Sequence, residues 1–137
     1  MQVAVTAAGG EVKKADDSHI GIANEIIINE NGLAHPIYKD KEKIFNSPAF
    51  NFDEVRTLPR NAVCLASNKI NKVQSIYFKV NSTNVWGLQY HPEITYEKMI
   101  SLIEFRKDRL IKSRKVFESE KDVENHILFI KKEILKA

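Results

Sequence analysis

The sequence predicts an α/β fold, and three observations carry that prediction. Short apolar segments recur between turn signals, the β-branched Glu25-Ile26-Ile27-Ile28 and the buried Val63-Cys64-Leu65-Ala66. Residues 72–80 alternate in polarity, Asn81 to Asn84 reverse the chain, and Val85 to His91 return as an apolar run, which predicts an antiparallel hairpin. After Glu93 the apolar period becomes 3.6, so helices close the chain.

Taken in order, residues 1–8 are apolar and alanine-rich and stop at Gly9-Gly10, which predicts a helix with a glycine terminator. No polar cap opens it, so it reads as a helix entered from upstream. Residues 11–14 predict a short strand, Asp16-Asp17-Ser18 a turn, and Ile20-Gly21-Ile22-Ala23 the approach to the Ile26-Ile27-Ile28 strand. Asn31-Gly32 predicts another turn, and His35-Pro36-Ile37-Tyr38 opens a looser, charged region. Residues 46–59 mix turn formers with Phe50 and Phe52 and predict a folded loop that carries function. Residues 61–67 predict a buried strand. Thr95 is the expected N-cap of a helix striped by Tyr96, Met99, Ile100, Ile103 and Leu110. Residues 112–115 interrupt the stripe. Ser119, with Asp122 in the capping-box position, then starts a second helix along Val123, Ile127, Ile130 and Ile134.

The totals narrow the function. At 137 residues with 43% hydrophobic and 28% charged residues, the chain suits one globular domain. Its net charge of +3 gives no reason to expect nucleic acid or a membrane surface as a partner. A lone cysteine excludes an intrachain disulfide framework and fits a reducing compartment. No apolar run approaches the ~20 residues of a membrane span and no secretory pattern opens the chain, so the expected location is the cytoplasm.

Chemistry concentrates at His91-Pro92-Glu93. In an extended strand His91 and Glu93 share a face, and Pro92 disfavours helix at His91. A carboxylate beside an imidazole fixes its tautomer and supports a general base. The bland alternative is a surface ion pair at the start of the next helix. The obvious nucleophile, Cys64, lies inside an apolar strand with nothing to lower its pKa and reads as core. His19, His35 and His126 lack metal-ligand spacing, and the pattern calls for no metal and no cofactor. The basic run from Arg106 to Lys115 is followed at once by acidic residues and lacks a glycine-rich phosphate loop, so it reads as a solvated face.

Trp86-Gly87-Leu88-Gln89-Tyr90-His91-Pro92-Glu93 resembles the segment that closes the active site of class I glutamine amidotransferases. Other segments agree in order: Met1-Gln2 running to Gly9-Gly10-Glu11-Val12, then Ile20-Gly21-Ile22-Ala23, then Phe45 through Asp53-Glu54-Val55-Arg56-Thr57-Leu58-Pro59, then Leu65-Ala66-Ser67-Asn68 with Val73-Gln74. The resemblance covers roughly residues 1–112, is nearest to the stand-alone GMP-synthase-like members, and leaves 113–137 as a helical extension. It implies the C-terminal part of a flavodoxin-like fold, with a mixed sheet, an antiparallel hairpin and C-terminal helices.

The family reaction that the resemblance implies is hydrolysis of glutamine at a Cys-His-Glu triad, with ammonia passed to an acceptor. His91 matches the base, Glu93 its orienter, and Gln2 a glutamine beside the bound substrate. Many relatives carry a histidine in the loop where this chain has Asn51. The family's Gly-x-Cys-x-Gly elbow falls ahead of Met1, so the isolated chain is expected to lack covalent catalysis. Three expectations follow: a half completed by a separately encoded N-terminal piece or in a homo-oligomer, a non-catalytic pseudoenzyme, or an interaction module.

Overall fold

The computed structural model describes residues 1–136. Helix α1 (Gln2–Ala7) ends where Gly9 takes a positive φ of 93°, a conformation that glycine adopts without steric cost. Strand β1 (Glu11–Ile20) pairs antiparallel with β4 (Phe50–Thr57) as a two-stranded ribbon. The register shifts between Lys14 and His19, so Asp16-Asp17-Ser18 form a bulge within one strand rather than the expected turn.

The second sheet has five strands in the order β3-β2-β5-β6-β7, with β2 Ala23–Ile28, β3 Ile44–Ser47, β5 Val63–Ser67, β6 Ser75–Val80 and β7 Thr83–Leu88. The β6–β7 hairpin is as expected, in register from Ser75↔Leu88 to Val80↔Thr83. Every strand pair among the described residues is antiparallel, so the parallel pairing expected of a mixed sheet does not occur among them. Residues 46–59 are not a loop. They form the end of β3 and all of β4, because Phe50 and Phe52 alternate with Asn51 and Asp53 at the strand period.

Asn31-Gly32 is likewise helical rather than a turn. The Asn29 side chain accepts a hydrogen bond from the Gly32 N–H at 2.9 Å and caps the short helix α2 (Glu30–Leu33). Glycine is required there by proximity, since a Cβ would lie 2.2 Å from the Leu65 carbonyl oxygen.

Helix α3 (Tyr96–Phe105) is capped by Thr95, whose Oγ1 accepts from the Lys98 N–H at 3.2 Å. A π-type turn, Arg109–Ser113, follows and buries Leu110. Helix α4 (Glu120–Leu135) is capped by Ser119, whose Oγ accepts from the Asp122 N–H, while the Asp122 carboxylate accepts from the Glu118 N–H. That reciprocal bond lands one residue ahead of a standard capping box. Ile103 of α3 and Val123, Ile127 and Ile130 of α4 pack on Ile20 and Ile22 in one core cluster, so the C-terminal helix shares a core with the strands. A second cluster lies under the sheet around Ile26, Ile28 and Leu65, and a third joins α1 to it through Val5, Val55 and Ile76.

Candidate active site

Strand β7 ends at Leu88, and the chain then turns before α3. The His91 N–H donates to the Pro48 carbonyl at 2.8 Å, and the Ile94 N–H closes the turn on the His91 carbonyl at 3.2 Å. His91 and Glu93 therefore occupy a turn rather than a strand end. Their common side comes from the fold of that turn, not from i, i+2 alternation.

The two side chains meet: His91 Nδ1 lies 2.7 Å from Glu93 Oε1. The ionised carboxylate can only accept, so Nδ1 carries a proton and, in the neutral imidazole, the lone pair is on Nε2. The hydrogen bond from His91 holds the Glu93 carboxyl below the usual carboxylate range. Both side chains are open to solvent, at 41% and 64% exposure, so the pair is worth little as a salt bridge and its significance is orientation.

Tyr90 anchors the turn from the opposite side. It is buried, and its hydroxyl is 2.8 Å from that of Tyr38, which donates to Ser75 Oγ at 2.6 Å. Burial pushes both phenols up. The neighbouring Gln89 N–H donates to the Gln74 carbonyl at 2.8 Å, tying the same segment to the start of β6.

Gln2 comes to this turn from the start of α1. Gly87 permits the approach, since a Cβ there would lie 2.9 Å from Met1 Cγ. Gln2 Nε2 donates to the Asp53 carbonyl at 3.2 Å and lies 3.5 Å from Gln89 Oε1. Gln2 and His91 then line one cleft of about 400 Å³, together with Asn51, Gln89, Arg106 and Arg114. Glu93 stands behind His91 and does not line it.

A buried polar network supports the cleft floor. His19 is 1% exposed, with Nδ1 2.9 Å from Asn51 Oδ1 and Nε2 2.9 Å from Asn68 Nδ2. An amide nitrogen can only donate, so His19 is neutral with its proton on Nδ1. Burial, opposed by the Asn51 hydrogen bond and the charge of Asp17, lowers its pKa. Asn51 donates in turn to the Asp53 carbonyl at 2.9 Å and to Asn71 Oδ1 at 3.0 Å. The other expected structural residues are elsewhere. Cys64 is half-buried in β5 with its thiol directed at the Ala66 carbonyl, and burial pushes that thiol up. His35 accepts from Trp86 Nε1 at 3.0 Å and packs on Tyr77.

The basic run differs from its solvated-face expectation at two positions. Arg106 and Arg114 turn toward the cleft and stack on Phe50 and Phe52. The π-type turn between them breaks the 3.6 period, so no sequence spacing signalled that they share a side.

The turn thus presents at the cleft a histidine oriented by the carboxylate beside it. Residues 1–107 match the family described as glutamine amidotransferase class-I, and this chain belongs to that family. A γ-glutamyl-L-1-hydroxyisopropylamide hydrolase from a Pseudomonas species is 38% identical over 69% of this chain and 33% of its own length. A glutamine-hydrolyzing GMP synthase subunit from Methanocaldococcus jannaschii is 30% identical over 69% of this chain and 47% of its own. The chain thus spans about a quarter to a half of the length of the curated relatives it matches. Among solved structures, a glutamine amidotransferase from Thermotoga maritima shares the fold, with a TM-score of 0.64 at 19% identity over 95% of this chain and 54% of its own. Among the described residues no helix is long and apolar enough to cross a membrane.

Proposed function

We propose that this chain serves the hydrolysis of a γ-glutamyl amide, glutamine in the first instance, by supplying the base, its orienter and one wall of the substrate cleft. The observation that carries the reading is the 2.7 Å contact between His91 Nδ1 and Glu93 Oε1, which leaves Nε2 as the free lone pair on a residue that lines the cleft. Gln2 flanks the same space as a substrate-contacting amide. Residues 1–112 form the amidotransferase part and 113–137 its helical extension.

The chemistry needs a thiolate. Cys64 is the sole cysteine, its thiol is bound to a strand carbonyl, and it does not line the cleft. The nucleophile therefore comes from a further polypeptide segment of the elbow type. His91 Nε2 takes the thiol proton as sulfur attacks the γ-amide carbon. The proton then passes to the departing amine as the C–N bond breaks and a glutamyl thioester forms. Water, deprotonated by the same nitrogen, cleaves the thioester to glutamate and restores the thiol. Glu93 holds the imidazolium through both steps. Ammonia passes to an acceptor on a cytoplasmic partner protein, a reading supported by the naming of the GMP synthase relative as one subunit of its enzyme.

An open apolar surface supports the second segment: Val3 on α1 is 84% exposed and Val80 at the hairpin edge 48%. The test is to mix this chain with an N-terminal segment of a family member carrying Gly-x-Cys-x-Gly and to measure glutamate release. Turnover should appear in the complex and fall at least ~10³-fold with His91→Ala. Failure of the two pieces to associate, or turnover indifferent to His91, refutes the proposal. A stable complex without turnover would establish instead a binding role without catalysis.

A further inference from the structure

The outer wall of the cleft is more strongly built than the proposed reaction requires. Phe50 and Phe52 stand two residues apart on β4, so both rings lie on one side of the strand, 5.8 Å apart and edge-to-face. Each carries a guanidinium: Arg114 Cζ is 4.1 Å from the Phe52 ring centroid and Arg106 Cζ is 5.5 Å from that of Phe50. A small slot of about 40 Å³ lies among these four side chains with Arg109 and Leu110. The slot is an order of magnitude smaller than the main cleft and suits a small head such as a carboxylate rather than a larger group.

Stacking occupies the face of a guanidinium and leaves its N–H edge free, which is the edge that takes a carboxylate in bidentate fashion. None of Arg106, Arg109 and Arg114 forms an ion pair among the described residues, whereas the adjacent Lys107 is 3.5 Å from Glu120. Asp53 lines the main cleft, and Asp16 and Asp17 line a neighbouring one beside Arg114, yet none of them closes on a guanidinium. A merely solvated basic face does not fix two arginines on two rings at the rim of a cleft that holds His91.

We infer that Arg106 and Arg114, set on Phe50 and Phe52, form a carboxylate anchor that determines which γ-glutamyl amides the cleft accepts. This rests on the proposed γ-glutamyl amide reading of the site. The carboxylate has two possible sources on such a substrate: the α-carboxylate of the glutamyl part, or an acidic group on the leaving amine.

The experiment measures binding to the full chain by NMR titration, without turnover. The probes are L-glutamine against its α-carboxamide, and γ-glutamylglycine against γ-glutamylmethylamide. An anchor for the α-carboxylate gives glutamine about a tenfold advantage over its α-carboxamide, a bidentate charge-assisted contact being worth that factor. An anchor for the leaving group gives γ-glutamylglycine the same advantage over the methylamide. Either advantage should vanish in the Arg106→Gln/Arg114→Gln double variant. Should that variant misfold, Arg114→Gln alone, at an exposed position, should remove at least half of it on a logarithmic scale. The inference is overturned if neither carboxylate raises affinity, if its advantage survives the substitutions, or if none of the four probes binds. Because turnover plays no part, loss of glutaminase activity on mixing leaves this result standing. Conversely, turnover with no carboxylate preference sinks the anchor alone.

Discussion

Replacing Ile130 with alanine tests whether α4 is part of the domain that holds the site. Ile130 is fully buried, and its Cδ1 lies 2.7 Å from the point a Gly21 Cβ would occupy, with Ile103 Cδ1 at 2.8 Å. The substitution removes three carbons, or about 2.4 kcal/mol of transfer free energy. A residual cavity of roughly 60 Å³ adds up to about 1.5 kcal/mol, because packed backbone on both sides limits collapse. The expected loss is about 3–4 kcal/mol, a drop in Tm of roughly 10–15 °C for a chain of this size. Urea unfolding followed by far-ultraviolet circular dichroism reads it as a lower midpoint at unchanged slope. Ile130→Val should cost about 1 kcal/mol and Leu128→Ala, at a position 54% exposed, within about 0.5 kcal/mol. A loss under about 1 kcal/mol for Ile130→Ala, or a separate early transition for α4, refutes the shared core.

Other consequences follow from single positions. Gly21→Ala combines a positive φ of 88° with contacts under 3 Å to Ile130 and Ile103, and should cost at least about 2 kcal/mol in the same urea assay. Asn29→Ala removes both the α2 cap and a 2.8 Å bond to the Cys64 carbonyl, for a loss of about 1–2 kcal/mol by thermal unfolding. Tyr96, pushed up to about 12 by burial and by Glu133, keeps its proton when the unfolded phenol loses it near 10. The folded state then binds more protons between those values, so stability should fall as pH rises from about 10 to 12, and Tyr96→Phe should flatten that fall in pH-dependent urea midpoints. Burial holds the Cys64 thiol above its ordinary pKa, so its alkylation should lag that of the urea-unfolded chain at pH 8, as followed by mass spectrometry.

The elements legible in sequence were those whose cause is local. Thr95 and Ser119 announce α3 and α4 because capping is a contact between residues three apart, and the structure shows both bonds. The β6–β7 hairpin follows from alternation on either side of a short turn. The misread elements depend on distant partners. Asn31-Gly32 resembles a turn in sequence, whereas in the fold Gly32 lies in a capped helical turn packed against the Leu65 backbone. β4 resembles a loop because Asn51 within it and Pro48 and Pro59 on either side mask the Phe50, Phe52 and Val55 pattern, and pairing with β1 makes it a strand. The Asp16-Asp17-Ser18 bulge likewise exists because β1 stays paired on both sides of it.

The candidate site divides along the same line. His91 and Glu93 could be paired from sequence because they are two residues apart, although a turn rather than a strand brings them to 2.7 Å. What presents that turn is non-local: the Pro48 carbonyl holds the His91 N–H, and the Tyr90–Tyr38–Ser75 chain roots its other side in the sheet. Phe50 and Phe52 of the same β4 carry Arg106 and Arg114, while Asn51 between them turns inward to His19. One strand therefore sets the floor of the cleft from one face and carries the cationic rim on the other. A slip of one residue in the β1–β4 register would exchange the two faces, take Phe50 and Phe52 off the core they pack on and release both arginines. The bulge between Lys14 and His19, which places His19 opposite Asn51, is thus the feature that keeps both floor and rim in place.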